Sequence, residues 1–200
     1  MAISTFGAKP TVLRCSRCGR FVDWEDARLQ IICSCKPHLE LPPVLVREAT
    51  DADRPAVLAL FERDFGRTRL ITFGEEIHLD TMPTVVAELE GEIAGALAYM
   101  ERQGTLHIIA LATDPAWQRS GVGGHLVAEA ELVARGNHLG RVLVATTNDN
   151  LPSLYFYQRK GYRIMQVVPG AMAGTRGDAP STGFGGIPIR DEIHLVKAMT

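Results

Sequence analysis

From residue 44 onward, apolar and polar positions alternate between the period of a strand and the period of a helix. Apolar runs rich in β-branched residues predict strands over 44–49, 84–91, 92–103, 105–114, 141–148, 162–170 and 192–199. Apolar positions at helical spacing predict helices over 52–65, 121–135 and 151–161. This order predicts an α/β fold in which helices flank a central sheet.

Two segments of the same region follow neither period. Residues 67–83 are ambiguous, and one short helix is our expectation for them. Residues 173–188 are rich in glycine and proline, which predicts a mobile loop. Between the second and third predicted strands, Glu90-Gly91-Glu92 is a hairpin signal, so we expect those strands to be neighbours.

All four cysteines precede Leu41-Pro42-Pro43, which marks a boundary in the chain. We therefore predict a small cysteine-containing segment over 1–41 and a larger domain over 44–200. The formal net charge is −2, which does not favour nucleic acid as the main partner. No apolar run has the length of a membrane span, and the first residues lack a signal-peptide pattern. We expect a cytoplasmic, reducing setting, where cysteines are thiols or metal ligands more often than disulfides.

Residues 114–125, DPAWQRSGVGGH, place three glycines where a strand ends and a helix begins. Glycine inside a helix costs roughly 0.5–1 kcal/mol relative to alanine, so these glycines need a physical reason. A helix N-terminus has free N–H groups and about half a positive charge, which favours binding of an anion such as phosphate. The spacing matches neither the dinucleotide fingerprint nor the Walker A loop. A packing contact between helix and sheet is the alternative interpretation.

Two motifs in this region resemble those of a known family. Residues 118–123, QRSGVG, resemble the Q/R-x-x-G-x-G/A motif of the GNAT superfamily of N-acetyltransferases. Residues 150–162, NLPSLYFYQRKGY, resemble its N-x-x-A-x-x-x-Y-x-x-x-G-F/Y segment. The resemblance extends over about residues 44–200. It implies the GNAT fold, with a central mixed, mostly antiparallel sheet flanked by helices, and it implies acetyl-CoA as cosubstrate.

The resemblance also implies which residues hold acetyl-CoA. The main-chain amides of residues 118–124, which we call the glycine turn, are expected to bind its pyrophosphate. Arg119 is either a counter-charge for the pyrophosphate or an ordinary surface residue. Asn150 either hydrogen-bonds the cosubstrate or caps a helix. The main chain of 111–113 is expected to pair with the pantetheine arm. The expected binding residues are Leu111, Ala112, Thr113, Gln118, Arg119, Ser120, Gly121, Val122, Gly123, Gly124, Asn150 and Tyr157.

Acetyl transfer requires one group that protonates the departing thiolate and another that accepts a proton from the amine. By resemblance, Tyr157 is the general acid, because a phenol is a good proton donor. The alternative is that Tyr157 is only a core aromatic residue. Helical spacing predicts that Tyr155 and Tyr162 point away from it.

The general base is less well defined by the sequence. His107 stands where family members have a catalytic glutamate, and the usual histidine pKa near 6.5 suits a base. The alternative is a half-buried histidine of the sheet, and Glu101 is a second candidate base. Further candidates come from the segment before the second predicted strand, namely Glu75, Glu76 and His78.

The predicted reaction is direct attack of a primary amine on acetyl-CoA in a ternary complex. The larger domain contains no cysteine, which argues against an acyl-enzyme. The acceptor cannot be identified from the sequence, and a homodimer is possible. The alternative function is a zinc-ribbon adaptor protein whose GNAT domain is inactive or senses acyl-CoA.

The first part of the chain contains Cys15-Ser-Arg-Cys18-Gly19, which resembles a zinc-ribbon knuckle. Cys33 and Cys35 follow, and with the first pair they predict a structural zinc site of four thiolates. The second pair has one intervening residue instead of two, so His38 is a possible substitute ligand. A segment of about 40 residues needs such a metal to fold. Redox-active cysteines and free thiols are the alternatives.

Overall fold

The computed structural model describes residues 13–14, 21–23, 43–118, 120–172 and 181–199. In the first part of the chain, β1 (Leu13–Arg14) and β2 (Phe21–Asp23) form an antiparallel pair. Several predicted residues lie outside the described ranges, namely Cys15, Cys18, Cys33, Cys35, His38 and Arg119. The zinc site is therefore not tested by the structure.

The described part of the larger domain contains three α-helices and nine strands. The helices are α1 (Arg54–Phe65), α2 (Val122–Gly136) and α3 (Leu151–Arg159). The strands are β3 (Leu45–Glu48), β4 (Arg69–Thr72), β5 (Glu75–His78), β6 (Thr84–Leu89), β7 (Glu92–Arg102), β8 (Thr105–Thr113), β9 (Arg141–Thr147), β10 (Arg163–Val168) and β11 (Glu192–Ala198).

Seven of these strands form one sheet in the order β10-β11-β9-β8-β7-β6-β3. Neighbouring strands are antiparallel except β8 and β9, which run parallel. The predicted mixed, mostly antiparallel sheet flanked by helices is confirmed. Within the described residues, no helix combines the length and apolar character needed to cross a membrane.

The short helix expected within residues 67–83 is limited to one 3-10 turn, Leu79–Thr81, and most of the segment is instead a β-hairpin of β4 and β5. Leu70 and Ile77 are paired across it, and both are at least partly buried. The tip is Phe73-Gly74, where both residues have positive φ angles, 52° and 77°. Two positive φ angles are typical of a two-residue hairpin turn, which Asn-Gly favours much more strongly than Phe-Gly does. The unusual first residue explains why the pattern was missed.

The sheet separates two apolar clusters. On the face that we call the α2 face, α2 packs with Tyr157 and Tyr162 against residues such as Leu106 and Ile108. On the opposite face, the α1 face, α1 and the β4–β5 hairpin pack against a second set of sheet residues. Because successive side chains of a strand point to opposite faces, β6, β7 and β8 contribute to both clusters.

Candidate active site

The sheet opens between its two parallel strands. Ladder pairing of β8 with β9 begins at Thr105–Arg141 and ends at Ile108–Val144. Both strands continue beyond these residues, to Thr113 and Thr147, without pairing to each other. We call the space between 109–113 and 145–147 the cleft, and the Ile108–Val144 pair its apex. The edge of β8 along the cleft has main-chain groups available to a ligand.

A β-bulge lies at the apex. On the other side of β8, Ala98 pairs with Ala110 and Tyr99 with Ile108, so Ile109 has no partner on β7. The extra residue shifts the alternation of side chains by one position. Ile108 therefore belongs to the cluster on the α2 face, while Ile109 and Ala110 both belong to the cluster on the α1 face. The bulge bends β8 away from β9 and so contributes to the cleft.

The glycine turn connects the end of β8 to the beginning of α2. A short 3-10 helix, Pro115–Trp117, begins the connection, and the Asp114 side chain caps it by accepting the Ala116 N–H at 2.8 Å. Gly121 is the N-cap residue of α2, with a φ angle of 110° that side-chain-bearing residues rarely adopt. Among the described residues, no acceptor is bonded to the main-chain N–H groups of 121–123. The turn thus presents free donors at a helix N-terminus.

Two glycines allow α2 to lie close to the sheet at this end. A Cβ atom on Gly123 would lie 3.6 Å from Thr113 Oγ1 and 3.8 Å from Leu111 Cδ2, so the first turn of α2 faces the end of β8. A Cβ atom on Gly95 of β7 would lie 3.0 Å from the Ala112 carbonyl oxygen and from Val122 Cγ1. Sequence analysis missed Gly95, although a glycine inside a strand is a signal of close approach by another backbone.

Polar side chains fasten the turn to β8. Gln118 Nε2 donates to the Thr113 carbonyl at 3.3 Å, and Arg63 of α1 donates to the same oxygen at 2.9 Å. The Thr113 carbonyl is therefore already occupied. Leu111 presents its main-chain groups to the open cleft, whereas those of Ala112 are directed to β7, so a main-chain contact of Ala112 with pantetheine is not favoured. Ser120 Oγ donates to the Trp117 carbonyl and stabilises the turn internally.

Lys160 is a cation beside the first turn of α2 that sequence analysis missed. Its Nζ atom donates to the Gly124 carbonyl at 3.3 Å and lies 5.3 Å from the centre of the Phe156 ring. Burial is the main cause that lowers the pKa of Lys160. The only sequence signal was a lysine just before Gly161, which is the αL residue after α3.

Tyr157 is buried on the α2 face, in the second turn of α3. Its ring contacts Phe156 and Tyr162 edge to face, with centroid distances of 5.0 and 5.3 Å. Our expectation that Tyr162 points away from Tyr157 is wrong, because the chain turns at Gly161 and returns Tyr162 to the same cluster. Tyr155 is exposed, as expected. Burial raises the pKa of Tyr157 far above its usual value, so this phenol remains a proton donor at neutral pH.

Asn150 is the N-cap residue of α3. Its side-chain oxygen accepts the Ser153 N–H at 3.1 Å. The helix-cap alternative is thereby confirmed, and a contact with the cosubstrate stays a prediction.

His107 lies on the α1 face, one residue before the apex of the cleft. Its imidazole is half-buried and meets the Phe73 ring edge to face at 4.8 Å. Burial, followed by the charges of Arg102 and Arg141, lowers the pKa of His107 below its usual value. The imidazole is therefore neutral at neutral pH and has a lone pair available.

Glu101 is not brought to the cleft. It pairs with Leu106 near the start of β8, and its carboxylate accepts a hydrogen bond from Asn137 at the C-terminus of α2. The glycine turn lies at the other end of this 15-residue helix, on the order of 20 Å away at 1.5 Å per residue. The other three candidate bases are exposed on β5, namely Glu75, Glu76 and His78.

The last strand contributes two polar residues that sequence analysis missed. His194 Nε2 lies 2.5 Å from Glu192 Oε1, and both side chains are buried on the α1 face. The same Glu192 oxygen accepts the main-chain N–H of Phe73 at 3.0 Å. The Phe73 ring lies 4.9 Å from the ring of His194 as well. The alternation in EIHLV, residues 192–196, was the only signal that both polar side chains share a face.

This arrangement defines a class of protein. The model of the acetyltransferase (GNAT) family matches residues 46–162, and the chain belongs to that family. It is 29% identical over 147 residues to the uncharacterized protein YxbD of Bacillus subtilis (strain 168), covering 72% of this chain and 91% of YxbD. It is 35% identical over 112 residues to the uncharacterized protein YdhI of the same strain, covering 54% of this chain and 69% of YdhI.

A solved structure of the same fold contains the family's cosubstrate. It is a GNAT family acetyltransferase from Elizabethkingia anophelis with acetyl-CoA bound, and it superimposes on the chain with a TM-score of 0.62. The two sequences are 20% identical, and the match covers 78% of this chain and 97% of the other. At this identity the comparison shows a common fold.

Proposed function

We propose that the protein is an N-acetyltransferase that moves the acetyl group of acetyl-CoA to a primary amine. The observation that carries the proposal is the cleft between two parallel strands, with a glycine turn and a helix N-terminus at one end. An extended ligand with amide groups and a phosphate end matches both features. Acetyl-CoA has this chemistry, and a relative of the same fold binds it.

On the donor side, the main chain supplies most of the recognition. The free N–H groups of 121–123 donate hydrogen bonds to the pyrophosphate oxygens, and the dipole of α2 favours the negative charge. Lys160 adds a positive charge at the same turn. The unpaired edge of β8 at Leu111 provides main-chain partners for the amides of the pantetheine arm.

The reaction is placed at the apex, with Tyr157 on the α2 face of the sheet and His107 on the α1 face. The amine nitrogen attacks the thioester carbonyl carbon, the C–N bond forms, and the C–S bond breaks. The sulfur leaves with the electron pair of that bond and takes a proton from Tyr157 on the α2 face. The attacking nitrogen gives its proton to an imidazole on the α1 face, where His107 is the candidate that the sequence provides. The tyrosine and the imidazole thus approach the reacting atoms from opposite faces.

The proposal is tested by incubating the purified full-length chain with acetyl-CoA and a set of primary amines. Tyramine, spermidine and glycinamide represent aromatic, cationic and peptide-like acceptors. The expected result is enzyme-dependent release of CoA thiol together with an acetylated amine. The amine gains about 42 Da, because an acetyl group replaces a hydrogen. For a good acceptor, kcat is expected to be on the order of 1–10³ s⁻¹. Absence of acetyl-CoA binding by the folded protein would overturn the proposal.

We also propose a structural zinc ion in the first part of the chain, separate from the acetyl transfer. Its ligands are the four cysteines, Cys15, Cys18, Cys33 and Cys35. The four thiolates match the ligand type of a structural zinc site, apart from the shortened second pair. Metal analysis of the purified chain is expected to give one zinc per molecule, and Cys15→Ser with Cys18→Ser is expected to remove it. A metal-free protein with four titratable thiols would contradict this part.

A further inference from the structure

Glu192 and His194 form a buried acid–imidazole pair that the family motifs do not include. The inference drawn from it rests on the proposed function, because it concerns the proton that the acceptor amine must lose. The pair lies on β11, which adjoins β9 on the side away from β8. It is therefore separated in sequence from both motifs and is adjacent to the cleft only in the fold.

The register of the strands places His194 beside the apex. His194 pairs with Ala145, the residue that follows the last paired residue of β9, Val144. His107 lies on β8 one residue before the apex. The neighbours of both histidines along their strands belong to the cluster on the α2 face, so both imidazoles point to the α1 face. His107 therefore lies on β8 itself and His194 lies across β9 on β11, so that both imidazoles stand near the apex on the same face.

The carboxylate of Glu192 determines which nitrogen of His194 has the free lone pair. An ionised carboxylate only accepts hydrogen bonds, so the imidazole nitrogen next to it, Nε2, must carry the proton. In the neutral ring the other nitrogen, Nδ1, is then unprotonated and can accept a proton. A carboxylate in this position also stabilises the imidazolium that forms afterwards, as the aspartate does in serine protease triads.

Glu192 is itself held ionised and in place. Burial opposes its ionisation, but hydrogen bonds from His194, from the Phe73 N–H and from Thr72 lower its pKa below the usual value. The oxygen that faces His194 also binds the hairpin tip. The tip of β4–β5 is thus fastened to the pair and covers both imidazoles with the Phe73 ring.

His107 lacks these features. Within the described residues its ring makes no hydrogen bond, and no carboxylate orients it. Its surroundings, which include Arg102, Arg141 and His194 as well as the opposite charge of Glu75, disfavour the protonated ring on balance. A base that is poorly stabilised after it accepts the proton contributes less to the reaction.

We propose that His194, oriented by Glu192, accepts the proton of the acceptor amine through Nδ1, and that the β4–β5 tip forms one wall of the acceptor site. Glu192 is a positioning residue in this scheme, and His107 is a neighbouring polar wall. The acceptor displaces the Phe73 ring from His194 when it binds. The proton passes from the amine nitrogen to His194 as the C–N bond forms and then to solvent.

The first test determines by NMR which ring nitrogen of His194 carries the proton. The full-length chain is labelled with ¹⁵N-histidine, and ring nitrogen resonances are assigned with His194→Gln and His107→Gln. Neutral His194 is expected to carry its proton on Nε2, with Nδ1 bare. Glu192→Gln is expected to shift this preference, because an amide can also donate to the ring. A proton on Nδ1 of wild-type His194 would overturn the proposal.

The second test measures CoA thiol release with tyramine, spermidine or glycinamide across pH. His194→Gln is expected to lower kcat by about 10²-fold or more and to leave only the acid-side loss of rate that comes from protonation of the acceptor amine. Glu192→Gln, in which the ring can adopt the other tautomer, is expected to lower kcat with little change in KM. His107→Gln is the comparison variant and is expected to lose less than about 10-fold while keeping the acid limb. The reverse pattern for the two histidines would overturn the proposal.

Folding and donor binding are followed separately in each variant, by thermal unfolding and by calorimetric titration with acetyl-CoA. Unchanged acetyl-CoA binding together with lost turnover locates the defect on the acceptor side. If none of the three amines reacts with the wild-type protein, the proposed function fails for those acceptors. The tautomer of His194 still decides the inference in that case.

Discussion

The proposed donor and acceptor sides of the cleft present different kinds of chemical group. On the donor side, a glycine turn, a helix N-terminus and a strand edge present main-chain groups, and the residues that matter are contiguous in sequence. On the acceptor side, Phe73, His107, Glu192 and His194 come from three separate elements and act through side chains.

This difference has a physical origin. Main-chain donors depend on backbone conformation, which a few glycines at fixed spacing are sufficient to specify. Side-chain chemistry at the acceptor site depends on which strands become neighbours, and β11 reaches the cleft only because it pairs with β9. Substitutions on the donor side should therefore alter acetyl-CoA binding or thiolate protonation, whereas those on the acceptor side should alter amine chemistry.

The largest effect is expected from Tyr157→Phe, which removes the proposed donor to the thiolate. We predict a loss of about 10²–10⁴-fold in kcat with unchanged affinity for acetyl-CoA, measured by thiol release and by calorimetry. Tyr162→Phe is the matched control, because it removes a second buried hydroxyl of the same cluster, whose oxygen makes no close hydrogen bond within the described part of the chain. The control should keep its kcat and be at least as stable as wild type. Equal rates for Tyr157→Phe and wild type would show that Tyr157 only packs the core.

A smaller effect is expected from Gly95→Ala, which tests how closely α2 must approach the sheet. The new methyl group would lie about 3.0 Å from a backbone oxygen of β8 and from Val122. We predict a loss of about 1–3 kcal/mol in the free energy of unfolding and weaker acetyl-CoA binding, because the first turn of α2 is displaced. Denaturant unfolding and calorimetry measure the two quantities.

Gly124→Ala is the control for that experiment. Its methyl group would meet only the end of the flexible Lys160 side chain. The free energy of unfolding should change by less than about 1 kcal/mol, and acetyl-CoA should still bind. A control as damaged as Gly95→Ala would mean that close approach at Gly95 has no special importance.

The smallest effect concerns the pH dependence of stability. Burial lowers the pKa of His107, so the unfolded chain binds a proton here more readily than the folded one. His107 should therefore reduce the free energy of unfolding as pH falls through the usual histidine pKa of about 6.5. In His107→Gln, the decline between about pH 7.5 and pH 5.5 should be smaller than in wild type. An identical decline in both proteins would contradict the buried, unpaired environment of this ring.

Features that depend on the local main chain could be predicted from the sequence, whereas features that depend on which strands become neighbours could not. The strands β8 and β9, the helix α2 and its glycine turn were predictable, because periodicity and glycine spacing are local signals. The hairpin of β4 and β5 was not, since Phe73 adopts a positive φ angle only within its tertiary contacts. Glu192 and His194 were also missed, because nothing in a single strand indicates which strand will lie beside it. Glu101 fitted the expected strand but lies at the far end of α2.

The central claim is that the glycine turn and the cleft bind acetyl-CoA. The most direct measurement is a calorimetric titration of the full-length protein with acetyl-CoA, compared with Gly123→Glu. This substitution places a carboxylate where the pyrophosphate would lie, between the first turn of α2 and the end of β8. The account predicts one binding site per chain in the wild type and no binding by the folded variant. Equal binding by both proteins, or no binding by a well-folded wild type, would contradict it.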